Sequence, residues 1–361
     1  MRTFTRPLAC VTFFVLAVLP LVLFTAKGPW LGRNEIRLQR LSPFPDRFTP
    51  NVFRNVDHWF ADRIGLRLPL MWIGAHLNVG LLQRSTDRRV RIGRDRWLFW
   101  TGDSLSTVSM ADFRGRLRFS ADEVATAERR LIDIRDGLAA CGAHGIVVVA
   151  PDKQSIYGEY LDDAPVRPKT RLDDLLQRLD PQARAMMLDL RRPLRAAKAA
   201  NSEMPLYFKT DTHWNELGAF YGYQAIITAL AKVMPIANLS LASLDDFTVK
   251  IRPFHGGDLA SSMLLAPGLF PDIQTVLTRK SARIHTATGR LVMVSDSFST
   301  LLTPYFAPHF ADVVKLKASF GDADPKQIVR LHPTAVILEI VERALDNIAY
   351  SRFDWPRVCP R

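Results

Sequence analysis

Two short segments contain the residue types of a serine nucleophile and its base. The first, Thr210-Asp211-Thr212-His213-Trp214, places a carboxylate two positions before an imidazole. In extended backbone, residues i and i+2 project to the same side, so Asp211 can hold one ring nitrogen of His213 while the other faces a hydroxyl. In the second, the apolar run 291–294 stops at Ser295-Asp296-Ser297-Phe298, a sequence typical of a strand that ends in a sharp turn.

A serine hydroxyl is a poor nucleophile until a base removes its proton, and that base works best when a third group fixes its tautomer. We therefore predict Ser297 as the nucleophile, His213 as the general base and Asp211 as the residue that orients the imidazole. Such chemistry needs neither a metal nor a diffusible cofactor. The Gly-x-Ser-x-Gly elbow of the common α/β hydrolases is absent from the sequence, which argues against that fold.

The segments around these residues alternate between helical and strand-like patterns. Ser120 and Glu123 form a capping box, which predicts a helix that ends near Gly142 and carries apolar residues on one face. The run 146–150 that follows is apolar throughout, as in a strand buried on both faces of a parallel sheet. Further strands are predicted at 97–100, 185–190, 206–208, 291–294, 313–316 and 335–340. Further helices are predicted at 55–67, 216–233 and 301–310, together with one that ends near 82 and one that ends near 200.

This alternation predicts an α/β sandwich with a mostly parallel central sheet. Sites in such sheets collect at the carboxyl ends of the strands. Asp152, Asp211, His213 and Ser297 all follow predicted strands, so we expect them at one edge of the sheet.

The amino terminus predicts a membrane anchor. Residues 7–26 carry no charge and, at about 1.5 Å per residue, span roughly 30 Å as a helix, the thickness of a bilayer core. Arg2 and Arg6 favour a cytoplasmic amino end. We therefore predict a retained transmembrane helix at 1–27, a linker at 28–50 and one domain at 51–361, with a cleaved signal peptide as the alternative to the anchor.

The composition narrows the choice of partners. The net charge of +12 and the pI near 9.9 suit acidic partners. Because no basic stripe interleaved with aromatics and no zinc-ligand spacing is present, we do not predict nucleic-acid binding. An anionic polysaccharide, a membrane surface or simply solvated charge remain open. Cys10, Cys141 and Cys359 match no metal or redox spacing, and a Cys141–Cys359 disulfide and two free thiols are both compatible with the sequence.

Several segments together resemble a known family. The two segments described first, with Gly218, are similar to the paired signature of the AlgJ/AlgX-type alginate O-acetyltransferases, an SGNH-hydrolase-like group. The resemblance covers roughly residues 50–350 and includes further short motifs in the same order. These are Trp59-Phe60-Ala61-Asp62 with Arg67, Trp97-Leu98-Phe99, Pro151-Asp152-Lys153 with Tyr157, Gly257-Asp258-Leu259 and Glu342-Arg343.

The resemblance implies an SGNH-hydrolase-like three-layer sandwich in which the acid–histidine motif precedes the serine, a permuted order. It implies a periplasmic domain on an inner-membrane anchor that transfers acetyl groups to hydroxyls of an exopolysaccharide, with a membrane-bound O-acyltransferase supplying the acetyl group. A polysaccharide acetyl esterase and a non-catalytic polysaccharide-binding or assembly protein are the alternatives. Ser295 stands where the family usually has glycine, and its side chain is expected to crowd the turn.

Four residues near the predicted triad are candidate substrate contacts. Asp152, Lys153 and Tyr157 follow the apolar strand 146–150, where either a role in substrate binding or a structural turn is expected. Trp214 is expected either to pack behind His213 or to stack on a sugar ring. Asp258 and Arg343 are expected to be structural.

Overall fold

The computed structural model describes most of the chain after residue 50. The described residues are 11, 15, 18, 43–45, 50–61, 67–102, 108–164, 169–234, 241–281, 289–318, 320–350, 355 and 359. The predicted anchor at 1–27 and linker at 28–50 lie almost wholly outside them. Among the residues that are described, no helix combines the length and the apolar character needed to cross a bilayer.

Strands and helices alternate along the described chain. The strands are β1 (Val90–Ile92), β2 (Leu98–Trp100), β3 (His144–Ala150), β4 (Met187–Asp189), β5 (Phe247–Phe254), β6 (Asp272–Arg279), β7 (Arg290–Ser295), β8 (Asp312–Lys317) and β9 (Ala335–Val341). The α-helices are α1 (Val52–Ala61), α2 (Arg67–Ala75), α3 (Val108–Phe113), α4 (Ala121–Ala140), α5 (Lys153–Tyr157), α6 (Arg171–Arg178), α7 (Pro181–Ala185), α8 (Arg191–Ala200), α9 (Glu216–Val233), α10 (Thr303–Phe306), α11 (Pro325–Arg330) and α12 (Asn347–Tyr350).

Five strands form a parallel central sheet in the order β4-β3-β9-β7-β8. Helices α8 and α9 cover one face and helices α4, α6 and α11 cover the other, with a separate apolar core on each side. Strand β9 lies in the middle, pairing with β3 and β7, and all seven of its residues are buried. The predicted α/β sandwich with a parallel sheet is therefore confirmed.

Two helices begin where the sequence predicts, each at a helix-capping residue. The capping box at Ser120 opens α4, whose buried face includes the predicted apolar residues. Asn215 caps α9 at its predicted start by accepting hydrogen bonds from the N–H groups of Leu217 and Gly218. Such caps depend on side chains within one turn, which is why they can be predicted from sequence.

Three element predictions were wrong in extent. In place of a strand at 185–190, Asp180 caps the short helix α7 and only Met187–Asp189 pairs with β3. In place of a strand at 206–208, the structure has a single bridge between Tyr207 and Trp214. The helix expected at 301–310 is helical only over α10. The antiparallel β5–β6 hairpin was not predicted, although it pairs over eight residues.

The structure decides the state of Cys141 and Cys359, for which the sequence allowed either a disulfide or two free thiols. A disulfide links Cys141, at the end of α4, to Cys359 near the carboxyl terminus. It lies beside the apolar core on the α4 face of the sheet.

Candidate active site

The carboxyl end of β7 presents a serine to solvent. Strand β7 is buried between β8 and β9, but Ser297, two residues after its last residue, is exposed. The chain turns there into a short 3₁₀ helix, Ser297–Thr300, and the Asp296 carboxylate caps it by accepting from the N–H of Phe298 at 2.8 Å. The buried strand thus fixes where the turn begins, and the cap fixes its shape.

Ser295 fits into this turn instead of crowding it. Its side chain is buried, and its hydroxyl donates to the Ser299 hydroxyl at 2.6 Å. The Ser299 hydroxyl in turn donates to the Asp296 carbonyl at 3.0 Å. The expectation that a side chain at 295 would disturb the turn is therefore wrong, because the hydroxyl becomes part of the turn's hydrogen bonding.

The structure brings together the three residues predicted to form the triad. The Ser297 Oγ lies 2.7 Å from the Nε2 of His213, and the His213 Nδ1 lies 2.6 Å from the Oδ1 of Asp211. With the ring proton on Nδ1, the imidazole donates to Asp211 and accepts from Ser297. In this arrangement the imidazole is placed to take the serine proton.

Asp211 is held as a carboxylate. Its Oδ1 accepts from the His213 backbone N–H at 3.0 Å as well as from the ring, and its Oδ2 accepts from the Asp258 N–H at 2.9 Å. Burial alone would raise the pKa of Asp211, but the hydrogen bonds and the neighbouring imidazole outweigh burial and hold that pKa below its usual range. The acid that orients His213 is therefore ionised.

The segment 208–213, here called the histidine loop, belongs to no strand of the central sheet. The ammonium group of Lys153 holds it from below, donating to the carbonyls of Phe208 and Lys209 at 3.0 Å each and of Asp211 at 2.5 Å. From the β6 side, the Asp272 carboxylate accepts from the N–H and hydroxyl of Thr210. The prediction that a strand end would present Asp211 and His213 was wrong, since distant side chains position the loop instead.

A π-helical turn at Asp258–Met263 closes over the histidine loop. Gly257, which precedes it, packs so tightly that a Cβ would stand 2.3 Å from the Thr210 carbonyl oxygen, so only glycine fits. This close approach lets the Asp258 carboxylate accept from the N–H and hydroxyl of Thr212 at 2.8 and 2.6 Å. Burial raises the pKa of Asp258, and the adjacent negative charge of Asp211 adds to the effect.

Aromatic rings hold the imidazole from behind. The Phe298 ring lies 4.8 Å from the His213 ring, and Trp214 meets Phe298 edge to face. The Trp214 indole N–H donates to the Phe298 carbonyl at 2.9 Å. This bond ties the histidine loop to the segment 295–300 after β7, here called the serine turn. The Arg343 guanidinium covers Phe298 and ion-pairs with Asp152.

The four predicted substrate contacts lie in the interior. Trp214 is fully buried, so it packs behind His213 and does not stack on a sugar. Lys153 is 2% exposed and bonded to three carbonyls, and Asp152 pairs with Arg343. The hydroxyl of buried Tyr157 accepts from the Leu206 N–H at 2.8 Å. Because their polar atoms are already bonded within the protein, the structure favours the structural alternative for these side chains over direct substrate contact.

Three further residues support the site. Asp258 and Arg343 were expected to be structural, and they are: the Asp258 N–H donates to Asp211, and the Arg343 guanidinium covers Phe298. Glu339, inside the apolar pattern of β9, was not singled out at all. A carboxylate in the middle of a buried strand was the available signal, since such groups are rarely fully buried.

A basic groove adjoins Ser297. Its volume is about 380 Å³, and it is lined by the serine turn and by Lys315 and Lys317 from the carboxyl end of β8. Lys315 donates to the Thr300 hydroxyl at 3.2 Å, whereas Lys317 is exposed. Burial lowers the pKa of Lys315. The two lysines therefore place positive charge on one wall of the groove beside Ser297.

The donor atoms of Asp211, His213 and Asp258 lie within 4.8 Å of one another, a spacing that a metal ion can also use. Both ring nitrogens of His213 are, however, already hydrogen-bonded, one to Asp211 and one to Ser297. The cluster is therefore better suited to activating a hydroxyl than to binding a cation.

A parallel α/β sheet with a serine, histidine and aspartate in hydrogen-bonding contact at its carboxyl edge defines a serine-centred SGNH-like domain. The family model described as "SGNH hydrolase-like domain, acetyltransferase AlgX" matches residues 90–301. That match covers more than half of the chain, so the chain belongs to this AlgJ/AlgX-type family.

Known relatives agree with this assignment. A probable alginate O-acetylase AlgJ of Pseudomonas putida is 31% identical over 147 residues, which is 40% of this chain and 34% of that protein. Its counterpart in Pseudomonas syringae is 29% identical over 181 residues, 49% of this chain and 42% of that protein. These two matches thus span less than half of the relatives' length. The structure of Bacillus cereus PatB1 shares the fold, with a TM-score of 0.53 at 14% identity, covering 74% of this chain and 99% of that one.

Proposed function

We propose that this protein is an O-acetyltransferase that moves acetyl groups onto hydroxyls of an exopolysaccharide through an acetyl-serine intermediate. The observation that carries the proposal is the continuous hydrogen-bonded path from Ser297 Oγ through the His213 ring to Asp211. Membership of an acetyltransferase family and the alginate O-acetylase names of the relatives support acetyl as the transferred group.

The first half-reaction acetylates the enzyme. His213 Nε2 takes the Ser297 proton as Oγ attacks the acetyl carbonyl, and the same proton passes to the departing group when the carbonyl reforms. Asp211 stabilises the imidazolium between these two events. The Ser297 backbone N–H has no acceptor among the described residues, and it is the candidate donor to the oxyanion.

The second half-reaction repeats these steps with a sugar hydroxyl. That hydroxyl loses its proton to His213 and attacks the acetyl carbonyl, and Ser297 recovers a proton as the acetyl ester of the sugar is released. Lys315 and Lys317 beside the serine favour an acceptor that carries carboxylates. The overall charge of +12 acts in the same direction over longer distances.

The donor and the location complete the proposal. Acetyl-coenzyme A is cytoplasmic, so a domain placed in the periplasm by the predicted anchor needs a membrane partner that passes acetyl groups outward. A membrane-bound O-acyltransferase is the partner that the family resemblance suggests.

Intact mass spectrometry after incubation with a chromogenic acetyl ester tests the intermediate. We expect one added acetyl group on the wild type and none on Ser297→Ala, with ester turnover reduced roughly 10⁴-fold or more. Ser281→Ala, at an exposed serine after β6, is the matched control and should behave as wild type. Equal turnover above background by Ser297→Ala and the wild type would exclude Ser297 as the nucleophile, whereas no turnover by either would favour a non-catalytic binding protein.

An acceptor oligosaccharide separates the transferase from the esterase. The proposal expects acetyl esters on the oligosaccharide in excess of free acetate. If all acetyl appears as free acetate at saturating acceptor, the protein is an esterase that uses the same three residues.

A further inference from the structure

A buried carboxyl group lies directly beneath the serine turn. Glu339 is in the central strand β9 and is 1% exposed. Its Oε2 accepts from the backbone N–H of Asp296 at 3.2 Å. The Asp296 carboxylate caps the 3₁₀ helix that begins at Ser297. Glu339 therefore contacts the residue that shapes the turn.

The other oxygen of Glu339 is unsatisfied if the group is ionised. Oε1 is buried and has no donor in the described part of the chain. Leaving a buried charged oxygen without a partner is costly. A proton on the carboxyl group makes it a donor, and the carboxylate of Asp296, whose backbone N–H already bonds to Oε2, is the acceptor beside it.

The charges that face Glu339 favour this protonated form. Asp296, in the turn after β7, places a negative charge against it. Lys315, on β8, is the facing cation, but its ammonium group donates to the Thr300 hydroxyl and forms no ion pair with Glu339 among the described residues. Burial, followed by repulsion from Asp296, raises the pKa of Glu339 well above its usual range.

We propose that Glu339 is a positioning residue that stays protonated in the folded protein and donates a hydrogen bond to the Asp296 carboxylate, fixing the turn that presents Ser297. Together with the bond from the Asp296 N–H, this gives two contacts between the carboxyl group and the residue before the nucleophile. The inference rests on the proposed function for its catalytic consequence, whereas the protonation state stands independently of it.

Two variants, Glu339→Gln and Glu339→Leu, separate the contribution of the hydrogen bonds from that of the side-chain volume. The glutamine keeps a donor and an acceptor in the same shape, so we expect its kcat for a chromogenic acetyl ester within about threefold of wild type. The leucine keeps bulk without either group, and a displaced serine should lower kcat roughly 100-fold with little change in KM. A glutamine variant as impaired as the leucine variant would overturn the proposal.

The protonation state is tested without catalysis. Between the ordinary and the raised pKa of Glu339, unfolding releases a proton that the folded state keeps, so wild-type stability falls as the pH rises. The amide introduced by Glu339→Gln cannot titrate, hence the Tm of this variant minus that of the wild type should increase from pH 5 to pH 8. The infrared difference spectrum of wild type minus variant should show a protonated-carboxyl band at neutral pH.

A pH-independent Tm difference together with no such band would show an ionised Glu339 and overturn the proposal, even if the leucine variant fails to fold. If the wild type forms no acetyl-enzyme, the proposed function fails, whereas the melting and infrared results still decide the protonation of Glu339.

Discussion

The two segments that meet at the Ser297–His213 contact are held by different means. The serine turn follows a strand of the central sheet and is held mostly from within, through the Asp296 cap and the Ser295–Ser299 hydrogen bond, with one contact to Glu339 of β9. The histidine loop follows no sheet strand. Side chains from distant parts of the chain hold it, chiefly Lys153, Asp258 and Asp272.

The comparison shows that two segments of one site can be positioned differently, one by hydrogen bonds within the segment and the other by hydrogen bonds from distant residues. A local turn tolerates change, because neighbouring groups of the same segment replace one another. A loop held by long-range hydrogen bonds depends on each holder, because removing one leaves buried carbonyls or N–H groups without partners. We therefore expect substitution of a long-range holder such as Lys153 to be more damaging than substitutions within the serine turn itself, such as Ser295→Gly.

Beyond the loss of the nucleophile itself, Asp211→Asn should have the largest effect of the substitutions compared here. The amide can no longer stabilise an imidazolium, and it favours the wrong ring tautomer, so kcat for an acetyl ester should fall about 10⁴-fold with folding preserved. Asp122→Asn, at an exposed acid in the first turn of α4, is the control. A near-normal kcat in Asp211→Asn would show that the acid takes no part in the mechanism. The histidine loop would then not be the more sensitive of the two segments.

Lys153→Met should have an intermediate effect on activity. Three carbonyls of the histidine loop lose their donor, and a displacement of His213 by about 1 Å is expected to cost roughly 100-fold in kcat. Circular dichroism separates this loss from unfolding. If kcat is unchanged, the loop does not depend on its long-range holder.

The pH dependence of stability provides a second readout for the same variant. Burial lowers the pKa of Lys153 from 10.5 to about 8. Between these values the unfolded chain binds more protons than the folded one, so the contribution of Lys153 to stability rises with pH. The free energy of unfolding of wild type relative to Lys153→Met should increase by about 1 kcal/mol from pH 7 to pH 9, as measured by urea denaturation.

Ser295→Gly should have the smallest effect. It restores the glycine usual in the family and removes only the hydrogen bond to Ser299. We expect kcat within about threefold of wild type and a loss of about 1 kcal/mol in unfolding free energy. Ser299→Ala removes two bonds of the same turn and is the matched comparison. A loss as large as that of Lys153→Met would show that the serine turn is no more tolerant than the histidine loop.

Elements with local signals could be predicted from the sequence. The capping box at Ser120 and the unbroken apolar runs of β3 and β9 depend on neighbouring residues, and the structure confirms them. The β5–β6 hairpin escaped prediction because six of the eight residues of β5 are exposed and give no clear apolar pattern. The histidine loop was misread as a strand end because Leu206-Tyr207-Phe208 has strand-like composition but finds no partner in the sheet.

By itself, the sequence determined the residue types for hydroxyl activation, their order along the chain and the parallel sheet that presents Ser297, because strand and turn propensities act over a few residues. Only the tertiary structure decided that His213 reaches Ser297 across 84 positions, that Lys153 and Trp214 are interior supports, and that Glu339 lies beneath Asp296. Contacts between distant segments, and the burial that sets their protonation, depend on packing that no local pattern encodes.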